Sequence, residues 1–209
     1  MMSNVFPFRR RRPSWLALYR SHLQQSLDRL ELYLVAIRKG DPPMPASLKL
    51  VAPKYQPIIT GTEPRVLDAP AALVWKCLSE PQHVARWWGP ASIGTLTVKE
   101  LDFRVGGRWR FEHALKRGPV IAFTGTYLVI EPITRLVNTF SVEGMFDGKQ
   151  VEETHLLEER DGKTLYTQIM RFPDIASRDG MIASGMEKGA LESMAQLEAL
   201  LAELQGDGK

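Results

Sequence analysis

The chain has one cysteine, Cys77, in 209 residues. No intrachain disulfide can form, and a reducing compartment suits it. No apolar run approaches the ~20 residues that span a bilayer. No apolar stretch follows the basic run Arg9 to Arg12, as it would in a secretory signal. Cytoplasmic residence is the expectation, with no membrane span. Charge of one sign is scarce too: 27 Lys and Arg against 24 Asp and Glu leave +3. Arg9 to Arg12 alone exceed that surplus, so the remainder is near neutral and nucleic acid is not an expected partner. The four histidines, at 22, 83, 113 and 155, include no pair at helical-neighbour spacing, and no zinc site is expected. No Gly-rich phosphate loop precedes a helix. Neither a metal nor a cofactor is called for.

What is present divides into three parts. Residues 1–39 read as a basic lead and an amphipathic helix over 14–38, with Ser14 placed to cap it. Leu16, Leu23, Leu30 and Ile37 recur every seven residues, and Leu27 and Leu34 fall four after members of that series. This seam, broken near its start by Arg20, predicts self-association or docking through 14–38. Residues 40–56 read as a proline-rich linker, opened by Gly40 and Asp41-Pro42-Pro43. Residues 57–205 read as one globular domain.

Within that domain Ile58 to Leu67 is strand-like. Asp68 is placed to cap a helix over 71–79 with Pro70 in its first turn, and a second short helix spans 81–87. Six further strand-like runs follow, at about 95–103, 107–115, 119–131, 134–143, 149–159 and 164–172. Gly106-Gly107, Lys116 to Pro119, Glu131-Pro132, Asp147-Gly148 and Asp161-Gly162 separate them as turn signals, which predicts antiparallel hairpins. A long helix over 174–204 closes the chain. The fold class expected is α+β: a curved, seven-stranded antiparallel sheet wrapped around one long C-terminal helix.

The sequence also resembles a known family. Asp68-Ala69-Pro70, then Val74-Trp75-Lys76, Pro81 and Arg86-Trp87-Trp88-Gly89-Pro90 look like the START-like superfamily called SRPBCC. Within it they are similar to the family of the C-terminal domain of the heat-shock chaperone ATPase activator. Glu100 to Trp109, Gln168 to Asp174 and Ala183 to Gly189 match later signatures, so the resemblance covers about 57–204. It implies a helix-grip fold with an internal cavity. Functions across the superfamily range over ligand binding, lipid transfer, cyclisation and chaperone stimulation, and the family has no shared catalytic motif to carry over. A fainter resemblance concerns Trp15 to Arg20 and Leu27 to Leu30, which look like the dimerisation helix of arsenic-type winged-helix repressors. Either a remnant of such a fusion or an unrelated amphipathic extension fits.

Candidate ligand contacts follow from alternation. Trp109, Phe111 and His113 share one face of a strand, as do Phe123, Gly125 and Tyr127. Trp87 and Trp88 cannot share one direction, so one packs in the core and Trp88 borders the cavity, with Phe140. Gln168, Tyr127 and His155 are the polar candidates. From the helix come Met181, Ser184, Gly185 and Met186. Gly185 and Gly189 lie on one helical face, where either close packing or room for a ligand explains them.

No catalytic residue is expected. Glu152 and Glu153 point to opposite faces and cannot pair without a bulge. Glu100 and Asp102 suit a solvated face, and Cys77 sits in an apolar helical stripe as an inert thiol. The expected function is binding of a small hydrophobic or amphipathic molecule, in a stress or regulatory context. Two alternatives stand beside it: a cyclase- or hydrolase-like enzyme using the same pocket, and a chaperone-activating or regulatory module working through its surface.

Overall fold

A computed structural model of the chain describes residues 50–52, 56–61, 64–144 and 150–206. The helix expected at 14–38, the basic lead and the turn at Asp147-Gly148 lie outside the described residues.

The described residues form nine strands and four helices: β1 (Leu50–Val51), β2 (Ile58–Gly61), β3 (Arg65–Leu67), α1 (Ala71–Ser79), α2 (Pro81–Trp87), β4 (Gly94–Leu101), β5 (Arg108–Leu115), β6 (Val120–Glu131), β7 (Arg135–Val142), β8 (Val151–Arg160), β9 (Lys163–Arg171), α3 (Ile175–Ala183) and α4 (Met186–Gly206). All pairings are antiparallel, in the order β1-β2-β9-β8-β7-β6-β5-β4, with β3 also on β9. The helix-grip α+β architecture is therefore present.

Two differences separate the sheet from the seven strands expected. The run 58–67 is two strands, which pair with successive stretches of β9, Ile58 opposite Arg171 and Arg65 opposite Tyr166. Pro64 has no N–H to give a ladder at the junction. The two-residue β1 lies inside the segment read as linker and pairs with β2.

The β8–β9 hairpin shows how the turn signals work. Asp161 and Gly162 have φ of 50° and 75°, the left-handed pair that a two-residue hairpin needs. Arg160 and Lys163 close it as partners. Burial then alternates along the strands. On β5, Trp109, Phe111 and His113 are buried, while Arg110 turns outward to Glu143 at 2.8 Å.

The start of α1 corrects the cap read at Asp68. The N-cap position is Pro70, and no side chain of its own caps the helix. The first N–H, of Ala71, donates instead to Glu159 of β8 at 2.8 Å.

The long helix is also broken. Gly185 has φ +79° and the space around it is open. It ends α3, where the Ser184 N–H returns to the Gly180 carbonyl at 3.0 Å. A positive φ costs an L-residue about 1–2 kcal/mol, so glycine is required by the turn here. Gly189, inside α4, rests near Pro90: a Cβ there would lie 3.6 Å from the ring, ordinary contact.

The two stretches of the helix layer pack differently. Leu197, Leu200 and Leu201 of α4 are buried with Leu67, Val74, Cys77 and Trp87 in one continuous core. Towards its N-terminus α4 offers Met186, Gly189, Ala190 and Ser193, and these border a cavity.

Candidate functional site

The cavity has a volume of about 800 Å³ and lies between the inner face of the sheet and the helix layer. One wall is aromatic. Trp88, half-buried just after α2, is its centre: its ring lies 4.8 Å from Phe123, 5.3 Å from Phe111 and 6.4 Å from Trp109, centroid to centroid. Phe140 continues the wall 5.8 Å from Phe123. Trp87 turns the other way, and its indole N–H donates to the Cys77 carbonyl at 2.7 Å. Trp87 is buried in the core beside α1 and also reaches the cavity edge, whereas Trp88 is half-buried against the aromatic wall.

Trp109 reaches its place because Gly125 is its partner across the β5–β6 pair. A Cβ on Gly125 would stand 1.9 Å from the Thr139 carbonyl oxygen and 2.5 Å from the indole. His113 is similarly laid over a glycine: a Cβ on Gly94 would stand 2.8 Å from its Nε2.

The other wall is polar, and its chemistry follows from one donor sequence. The Asn138 amide N–H donates to Glu153 Oε2 at 3.1 Å. Its Oδ1 is thereby left to accept from His155 Nε2 at 3.2 Å. That places the imidazole proton on Nε2, so Nδ1 accepts from the Tyr166 hydroxyl at 2.7 Å. Gln168 Nε2 donates to Glu153 Oε1 at 3.5 Å. The donors thus run from Tyr166 towards Glu153.

Burial sets the protonation of this wall. It pushes the Glu153 carboxyl up to about 7, against the opposing effect of the Asn138 N–H. It pushes His155 down to about 4, so the imidazole is neutral. The Tyr166 and Tyr127 phenols are also raised by burial.

All twelve residues expected to contact a ligand border this one cavity: Trp88, Trp109, Phe111, Phe123, Tyr127 and Phe140 from the aromatic set, His155 and Gln168 from the polar set, and Met181, Ser184, Gly185 and Met186 from the helix layer. Gly185 does so at an exposed turn and not within a helix. Sequence reasoning missed Asn138, Tyr166 and the buried role of Glu153. Glu152 and Glu153 do face opposite ways: Glu152 is exposed beside Arg171 at 3.9 Å, and Glu153 is 8% exposed. Among the described residues, no group of three His, Cys, Asp or Glu is placed to hold a metal, and no helix is long and apolar enough to cross a membrane.

Comparison with known proteins gives one family and many solved structures of the same fold. The family model described as "Activator of Hsp90 ATPase homolog 1-like protein" matches residues 68–202. No curated protein matches the chain. Among solved structures, a Chromobacterium violaceum protein is 27% identical, covering 69% of this chain and 96% of its own, with a TM-score of 0.59. Proteins from Arthrobacter aurescens and Rhodobacter sphaeroides are 23% and 20% identical. They cover 75% and 74% of this chain and 92% and 98% of their own, with TM-scores of 0.68 and 0.66. These last two show the fold alone.

Proposed function

We propose, from the premise that this chain belongs to the Activator of Hsp90 ATPase homolog 1-like family, that its cavity binds a small, largely apolar molecule with one polar end. The observation that carries this reading is a core left unfilled over about 800 Å³, ringed on one side and polar on the other. Apolar cavities with a few convergent polar groups are what small-molecule sites look like. The aromatic rings around Trp88 grip the body of the molecule. Asn138, Glu153, His155 and Gln168 meet its polar end. The unfilled core weighs against a module that works only through its surface.

The test is occupancy. Ala190 borders the cavity on α4, and Ala190→Phe fills part of it. Wild-type protein should enhance the fluorescence of the neutral probe N-phenyl-1-naphthylamine, and the folded variant should not. Equal enhancement by both would sink the reading.

A second reading, acid–base catalysis on the bound molecule, is favoured by one observation. Glu153 exchanges its proton near neutrality inside the cavity, where a general acid or base is most effective. It would show as turnover of a bound molecule that Glu153→Gln abolishes without loss of binding.

A further inference from the structure

We propose that the cavity selects an organic amine, whose ammonium group seats on the Glu153 carboxylate while its apolar body lies against the rings. This rests on reading the cavity as a ligand site and adds the chemistry of the ligand's head.

The argument is one of unmatched charge. A carboxylate offers about four acceptor positions. Glu153 receives one amide N–H at 3.1 Å and a second at the long distance of 3.5 Å. His155 stands 3.9 Å away, but both its ring nitrogens are engaged by Asn138 and Tyr166. Among the described residues no Lys or Arg forms an ion pair with Glu153. Of the other charged residues bordering the cavity, Lys188 lies at the exposed rim, while Arg65 and Glu192 hold partners, Arg65 with its Nη1 left over. The Arg65 guanidinium holds Glu198 at 2.7 Å, and Glu192 holds the Ser92 N–H and hydroxyl at 2.6 Å each.

A buried carboxylate without a cation is costly, and a cation supplied from outside relieves that cost. The aromatic wall adds to the preference. Ring faces are negative and attract cations, and Phe140 stands on the same face of β7 as Asn138, the direct partner of Glu153. A carboxylate head would be repelled by Glu153. At Glu153 itself a carbonyl head would find a donor only while the carboxyl holds its proton, which burial favours only up to about neutral pH; the unpartnered Trp109 indole N–H on the aromatic wall is the donor that competes for such a head.

Three matched probes test this with the full-length protein at pH 8: 2-naphthylmethylamine, 2-naphthylmethanol and 2-acetylnaphthalene, titrated calorimetrically. The amine should bind about tenfold tighter than either neutral probe, and in Glu153→Gln the three should fall within about twofold, a tenfold ratio being the smallest that a single well-placed charge contact is expected to give. Amine binding no tighter than alcohol binding in the wild type, or an amine preference that survives Glu153→Gln, overturns the inference while leaving the ligand site standing. Failure of all three probes removes the ligand site and this inference with it. If Glu153→Gln does not fold, carbon NMR of the wild-type Glu153 carboxyl decides. The amine should shift its titration to lower pH, and an unchanged titration overturns the proposal.

Discussion

Asn138 and Glu153 are direct partners across the β7–β8 pair, and the Asn138 side-chain N–H donates to the Glu153 carboxylate at 3.1 Å. The same amide accepts from His155 through its oxygen. One side chain therefore satisfies two buried ionisable groups.

Replacing it should take one hydrogen bond from each, leaving Glu153 Oε2 and His155 Nε2 without their partner. Asn138→Leu is expected to cost about 1–3 kcal/mol in urea unfolding, the usual cost of orphaned buried polar groups. It should also raise the Glu153 carboxyl above about 7, seen by carbon NMR, because the opposing N–H is gone. Unchanged stability and titration would mean that the cluster does not form.

The pH dependence of stability should be flat where each group alone would make it slope. Glu153 titrates at about 7 in the fold against an ordinary 4.5. Its stabilising proton is fully effective below about 4.5 and is lost as pH rises towards 7. His155 titrates at about 4 against an ordinary 6.5. Its contribution is full above about 6.5 and is lost as pH falls towards 4. Between about 4.5 and 6.5 the two slopes oppose each other. Glu153→Gln removes one of them. Relative to wild type, the variant should then gain on the order of 2–3 kcal/mol between pH 4 and 6.5, read from melts across that range. Parallel curves for the two proteins would contradict the assignment.

Much of this fold was legible because local chemistry agreed with the tertiary pattern. Trp109, Phe111 and His113 alternate with Arg110 and Glu112, and Asp161-Gly162 can hardly be anything but a tight turn. The polar wall was not legible. Asn138, Glu153 and Tyr166 are polar residues on strands, where period-two alternation with other polar residues hides which face is buried. Glu152-Glu153 reads alike from either side. The cap of α1 was hidden for another reason: its acceptor, Glu159, is 88 positions away. Pro64 marks the break between β2 and β3 that the reading of 58–67 as one strand overlooks, and Gly185 equally suits a helix interior and a helix end.

Glycine substitutions should separate tight sites from open ones. Gly125→Ala forces a Cβ to within 1.9 Å of the Thr139 carbonyl. A loss of about 3 kcal/mol or more is expected, at the upper end of overpacking costs. Gly180→Ala, in the open on α3, should gain about 0.5–1 kcal/mol. Similar melting temperatures for the two variants would refute the difference in packing.

At Gly185 the obstacle is backbone and not space. Gly185→Val should lose at least about 1 kcal/mol because its φ of +79° suits no β-branched residue. Gly185→Asn should lose less. Equal losses would show that the turn is not held as described.

Cys77 should be silent in the native protein. Its thiol is fully buried and pushed up to about 11, chiefly by that burial, so little thiolate exists at pH 8. Iodoacetamide labelling should proceed only as fast as the α1 core opens, and fast labelling without denaturant would show that this core is loose.

The break at Gly185 gives the helix layer two independent fastenings. α4 is sealed to α1 by Leu197, Leu200 and Leu201. α3, nine residues long, is tied down by its Asp174 cap at 2.7 Å and by Arg178 reaching the Gln56 carbonyl at 2.6 Å. Sub-global opening of α3 can therefore uncover the cavity while the leucine seam stays shut. On the proposed function, uptake and release of a guest would then follow a local equilibrium rather than global stability. Amide protons of 177–183 should exchange well before those of 194–201.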